Sequence, residues 1–294
     1  MFDNLYGLSC IENHALAVLR EYGTDIRPLY RDCAIPMKVL FDSLVYQGES
    51  REYFDRIIRV QDLAKELGII TMKLYRRGFH ELITDINGEN EYEYVFMRVT
   101  NEFTKTQLHA RGLRDDHYVR VMPDNNDFKI ISDIPEITLA LTKDELATAY
   151  DGDYFKLCVN RDISDNDCEH IHENRVFKAE NHEEFKLDIV DFNSIPEVGI
   201  RIRNMTGVYK VLRLRVVDYY RQYADTEFIK NRMPEVEKYF SLFEYFNIKK
   251  VTDIEKYFEV FCKINQLENE IMGELKQKLC KIKMGRKQDE NQSK

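Results

Sequence analysis

The chain has 294 residues, 44% of them hydrophobic and 32% charged, with no Trp but 18 Tyr and 17 Phe to build a core. With only 12 Gly and 6 Pro, a fibrous or low-complexity chain is excluded. The net charge of −9 argues against broad binding to nucleic acid or anionic membranes, both of which need a cationic surface. No apolar run approaches the ~20 residues of a membrane span. The start, MFDNLYGLSC, has no basic opening and no apolar signal core, so a cytoplasmic protein is expected.

In chain order, Cys10–Tyr22 carries apolar residues at helical spacing, with Gly23 as its stop. Further helices are expected near 36–46, 50–67 and 76–87. The pattern then changes to short segments rich in β-branched and aromatic residues: 92–99, 117–122, 128–132 and 154–159 read as strands. Pro123–Asp127 is a turn between two of them. Thr142-Lys-Asp-Glu145 has the form of a capping box that opens a helix to Tyr150. Residues 160–184 are polar and irregular. Helices are again expected over 195–223, 227–246 and 252–283, with a disordered tail over 285–294. Segregated helix and strand runs indicate an α+β fold. The expected division is a catalytic domain over 1–160 and a mainly helical part over 161–284.

The six cysteines are scattered, with no CxxC, and reduced thiols are expected. Cys10 opens a helix, where unpaired N–H groups and the positive dipole end favour thiolate. His117 opens a strand, and an imidazole there can take the thiol proton and return it to a leaving group. Asp133 ends the next strand, joined by a short turn, so a His–Asp hydrogen bond is geometrically reasonable. Singly these residues read as a packed thiol, a core histidine and a turn aspartate. Together they form the order and placement of a cysteine triad.

Cys10-Ile-Glu-Asn13 heading a helix that ends Glu-Tyr-Gly23, His117-Tyr-Val-Arg-Val on a strand, and a hairpin to Asp133 resemble the papain-like C39 peptidase plan. More narrowly, residues 1–160 are similar to the family of butirosin biosynthesis protein H. The resemblance implies a papain-like fold and acyl transfer in antibiotic biosynthesis. The cysteine would take an acyl chain from an acyl carrier protein thioester, and an amine would then attack to form an amide. It implies no resident cofactor, since the phosphopantetheine travels on the carrier. It also implies an oxyanion donor six residues before the cysteine. Asn4 stands there in place of the usual Gln; the alternative is a turn cap.

Arg201, Arg203, Lys210, Arg213 and Arg215 form a basic stretch, either a solvated helix face or a docking patch for the acidic carrier. Arg51, Arg56, Arg59, Arg76 and Arg77 are a second such set. His80 and His109 are alternative bases, and His14 reads as a helix-face residue. Cys168-Glu-His170-Ile-His172, with Asp165 and Asp167, has metal-ligand residue types but no recognised spacing, and is expected to be a polar loop. No GxGxxG, GxxxxGK[ST] or HExxH occurs, so an amide-forming enzyme here needs a pre-activated acyl donor. Two rivals stay open: a peptidase or thioesterase of the same fold, and a non-catalytic interaction module. The oligomeric state, including a homo-oligomer, is also left open.

Overall fold

The computed structural model describes residues 5–50, 54, 59–88, 92–109 and 117–292. The architecture is α+β, with a six-stranded antiparallel sheet and a helical C-terminal part. The chain divides into two compact units, residues 1–29 with 59–169, and residues 30–58 with 170–294.

In the first unit the sheet runs in the order β1 (Ile70–Arg76), β6 (Tyr150–Val159), β2 (Glu93–Val99), β3 (Tyr118–Asp124), β4 (Asp127–Asp133) and β5 (Glu136–Leu141). Side chains alternate across a strand, so the two faces differ. Val95, Met97, Val119, Val121 and Ile130 join one core cluster, which Leu82 and Ile86 of α4 (Phe79–Asn87) and Leu146 of α6 (Lys143–Ala149) cover. The intervening residues Phe96, Tyr118 and Phe155 stack together, with ring centroids 4.7 and 5.3 Å apart. Against that second face lies α1 (Cys10–Glu21). Ser9 caps α1 by accepting from the Glu12 N–H, and five consecutive residues, Ala15 to Leu19, are buried. Gly23 leaves the helix at a φ of 93°, which a Cβ would oppose.

The expected strands near 92–99, 117–122, 128–132 and 154–159 are all present, and the Thr142–Glu145 capping box is complete on both sides. Two strands escape the sequence pattern. In β1 burial does not alternate, and Leu74 points to solvent; β5 is a short edge strand with exposed alternate residues.

The polar stretch after residue 160 is not irregular throughout: α7 spans Asp165–Asn174. Its start is a second capping box, in which Ser164 Oγ accepts from the Asp167 N–H and Asp167 Oδ2 accepts from the Ser164 N–H. Only Ile171 of this helix is buried, so it carries no apolar stripe to reveal it.

In the second unit, α2 (Met37–Leu40) runs on as a π-helix over Phe41–Tyr46, and α9 (Val198–Tyr220), α10 (Glu227–Ile248) and α11 (Ile254–Gln292) follow the shorter α8 (Ile189–Asn193). The sequence expects one division near 160; the structure adds segment 30–58 to the C-terminal helices. The reason is apolar and polar at once. Phe41 packs on Phe185, Phe192 and Phe261, and Arg201 donates to the carbonyls of Val45 and Tyr46 at 2.9 and 2.8 Å. The last helix continues to Gln292 rather than stopping at 283; 285–292 contains no Pro to break it, and Arg, Lys, Gln and Glu offset the weaker helix formers Gly285, Asp289 and Asn291.

Arg213 and Glu268 are both fully buried and paired through two contacts of 3.0 and 2.6 Å, with Tyr209 Oη donating to the same carboxylate at 2.7 Å and Arg213 also donating to the Ile35 carbonyl. Removing one member leaves the other charge buried and alone. Arg213→Met is expected to lower stability by about 3–5 kcal/mol in urea unfolding. In R213M/E268Q, where no charge is stranded, part of that loss should return.

Candidate functional site

The helix that begins with Cys10 is locked to the sheet by its own first two turns. Asn13 Nδ2 donates to Asp133 Oδ2 at 2.8 Å. His14 Nε2 lies 3.0 Å from the Tyr118 carbonyl; a carbonyl only accepts, so Nε2 carries the proton. Cys10 sits three and four residues before Asn13 and His14, on the same side of the helix, where side chains lie about 5–6 Å apart. The thiol position therefore belongs to the helix face that meets the ends of β3 and β4, where His117 and Asp133 stand.

His117 is 5% exposed and Asp133 6%. His117 Nε2 lies 3.0 Å from Ser132 Oγ and 3.9 Å from Asp133 Oδ1. The direct His–Asp hydrogen bond expected from sequence is thus replaced by a serine contact and a longer electrostatic one. The carboxylate is shared: His14 Nε2 is 4.0 Å from the same Oδ1. That oxygen is buried and accepts no hydrogen bond, while Oδ2 is taken by Asn13. Asp133 is followed by Ile134 and Pro135, whose peptide bond is cis.

Glu12 organises the approach to Cys10. It is fully buried, and its carboxylate accepts from the N–H of Leu8, in the preceding loop, and of Val60, which opens α3 (Val60–Glu66). Gly7 lies so close to Asn13 that a Cβ there would fall 2.0 Å from its Oδ1. The loop can close on the helix only because position 7 has no side chain.

His14, read from the sequence as a helix-face residue, lies on the buried face of α1: it is 1% exposed and its ring lies 4.9 Å from Phe96. Burial lowers its pKa from 6.5 to about 4, against the opposing pull of Asp133. Sequence reasoning took His14 only as a helix-face residue and did not pick out Glu12, Asn13 or Ser132 for a role in the site. The one available signal was the i, i+3, i+4 spacing from Cys10. His80 and His109 are both exposed. Asn4 lies outside the described residues, as do Arg51 and Arg56.

The expected docking patch is not one exposed surface. Arg213 and Arg215 are 0% and 1% exposed; Arg213 pairs with Glu268, and Arg215 lies over the Tyr30 ring. Arg201 is turned to backbone carbonyls, and Arg203 and Lys210 are paired with Glu244 and Glu237. A basic stretch on a helix whose neighbours bury most of its circumference cannot remain a single face. In the second set, Arg59 and Arg76 meet Asp62 and Asp153, and Arg77 lies over Tyr75.

The Cys168–His172 segment lies on α7 rather than in a loop. Its candidate ligands are directed apart, Asp167 to Arg161, His172 to Tyr219 and His170 to Asn174. Among the described residues, no group of three His, Cys, Asp or Glu could hold a metal ion.

The cysteines also separate. Cys10 is partly exposed at the start of α1. Burial raises the Cys33 thiol to about 12 and holds those of Cys158, Cys168 and Cys262 above the ordinary thiol value. None of these four is set up as a nucleophile.

No protein-family model, curated protein or solved structure matches this chain.

The buried imidazole predicts a pH response. The unfolded chain binds a proton at His14 near pH 6.5, whereas the folded chain resists it until about pH 4. Stability therefore falls as pH drops through that window, by about 3 kcal/mol at most from this group. Urea unfolding of His14→Gln, which keeps a donor for Tyr118, should show a shallower loss between those pH values than the unmodified protein.

Proposed function

We propose that the protein is a cysteine-dependent acyltransferase of papain-like type, with Cys10 as nucleophile, His117 as general base and acid, and Asp133 as the orienting carboxylate. The observation that carries this reading is the docking of α1: the turn that begins with Cys10 is held by Asn13 and His14 against the strand ends bearing Asp133 and His117. The reading also draws on the helix N-terminus, which favours the thiolate.

Ser132 and Asp133 both stand on the Nε2 side of His117. Nδ1, on the other edge of the ring, is then the nitrogen that serves the thiol. Nδ1 takes the Cys10 proton, and the sulfur attacks the carbonyl carbon of an acyl thioester. The tetrahedral oxyanion forms beside the first N–H groups of α1. It collapses by breaking the bond to the departing thiolate, which takes the proton back from His117. An amine then attacks the Cys10 acyl-enzyme, His117 removes its proton, and the Cys10 sulfur leaves and is reprotonated, completing the amide. The imidazolium formed in each half-reaction draws toward Asp133 Oδ1, the carboxylate oxygen with no hydrogen bond in the resting site. Its 3.9 Å separation is of the kind that tightens once charge develops.

The thioester donor is favoured because the sequence has no nucleotide-binding loop with which to activate a carboxylate. A phosphopantetheine arm on a carrier protein presents an acyl group in that form. A reducing cytoplasm suits the nucleophile, and among the described residues no helix is long and apolar enough to cross a membrane.

Intact-protein mass spectrometry after mixing with an acyl thioester should show one acyl adduct, mapped to Cys10 and absent in C10A. Adding an amine should discharge it as amide; discharge only as free acid would make the protein a hydrolase. His117→Ala should slow acylation by about 100-fold or more. No adduct on Cys10 with any thioester, in a folded protein, would leave the interaction module as the better reading.

A further inference from the structure

The catalytic reading leaves open what aligns three groups drawn from a helix and two strands. Two consecutive residues on the nucleophile helix each reach a different strand. Asn13 holds the carboxylate at the end of β4. His14 holds the Tyr118 carbonyl, one residue from His117 at the start of β3. Both contacts lie one turn beyond Cys10. Asn13 is itself confined, because the Gly7 backbone occupies the space beside its Oδ1.

Resting on the assignment of Cys10, His117 and Asp133 above, we propose that Asn13 and His14 form a positioning clamp that sets the thiol, the imidazole and the carboxylate in register. Asn13 fixes Asp133 by its Oδ2, so that Oδ1 is presented toward His117. His14 fixes the strand end through its backbone, so that His117 enters the site at one depth. His14 also lies near the Asp133 charge. As a neutral imidazole with its Nε2 proton committed to Tyr118, it does not neutralise that carboxylate, whose charge stays available to the imidazolium at 117. The groups that face His14 are Asp133, His117 and Arg120, from β4 and β3.

The clamp is tested by the pH dependence of Cys10 carboxamidomethylation with iodoacetamide, read by peptide mass spectrometry and needing no acyl substrate. In the unmodified protein, Cys10 should react faster than Cys262 near neutral pH. Asn13→Ala and Asn13→Asp should move the Cys10 profile toward that of an ordinary thiol and slow its reaction near neutral pH by about tenfold. N13D keeps the shape of Asn but sets a carboxylate against Asp133. His14→Ala should act as N13A does, and H14Q should recover part of the loss. A lost fold would be seen in circular dichroism, and loss of helix alone would not reproduce recovery in H14Q. If unmodified Cys10 shows an ordinary thiol profile, the catalytic reading fails and the clamp with it. If Cys10 is activated but N13A and N13D leave its profile unchanged, or H14Q does no better than H14A, the clamp alone is overturned.

Discussion

The hydrogen bond from Asn13 to Asp133 is the constraint on which the candidate site depends. It joins residues 120 positions apart in sequence, and it does so from the helix that begins with Cys10. Everything around it follows from keeping that helix seated. Ala15 to Leu19 bury its apolar side, His14 reaches the backbone of β3, and the aromatic face of the sheet receives it. Glu12, one residue earlier, turns the other way, toward Leu8 and Val60. The helix is thus fixed on one side to the sheet and on the other to the loop before it and the helix after it. The cost of ordering so many polar groups is offset because nearly every one has a partner. Asp133 Oδ1 is an exception, and it lies between two imidazoles.

That exception has chemical content. A buried acceptor without a donor is unfavourable in the resting protein and becomes favourable when a positive charge forms nearby. Two histidines face it at almost equal distance, but they are not equivalent. His14 has committed its Nε2 proton to a carbonyl and is kept neutral by burial, whereas the corresponding nitrogen of His117 faces a serine hydroxyl. The asymmetry assigns the charge of Asp133 to His117.

Much of the fold was legible in the residues. The Cys10 helix, the Gly23 stop, the Thr142 capping box and four strands follow from apolar periodicity and cap chemistry. β1 and α7 were hidden for one physical reason: each buries little, so burial imposes no period on its sequence; β5 does alternate exposed and half-buried residues over Glu136–Leu141, and that pattern was missed. Within the candidate site, chain order and element ends singled out His117 and Asp133, whose side chains lie 3.9 Å apart, and Cys10 at the head of the helix that docks beside them. The residues that hold them were not legible, because Asn13 and His14 act across contacts of more than 100 positions, and a polar residue on a helix gives no sign of which strand it will meet. The basic stretch after Arg201 misled for the converse reason. Its charges suggest solvent, but Glu268, some 55 positions from Arg213, is what Arg213 finds. An arginine at helical spacing reads the same whether its partner is water or a buried carboxylate.

The proposed chemistry requires Cys10 to be an activated sulfur facing an imidazole, and the ultraviolet absorbance of the thiolate tests that most directly. Titrating the unmodified protein against Cys10→Ser, the difference should show a thiolate already present near neutral pH and lost only in acid. A difference signal that appears only above about pH 8.5, as for an ordinary thiol, would contradict it.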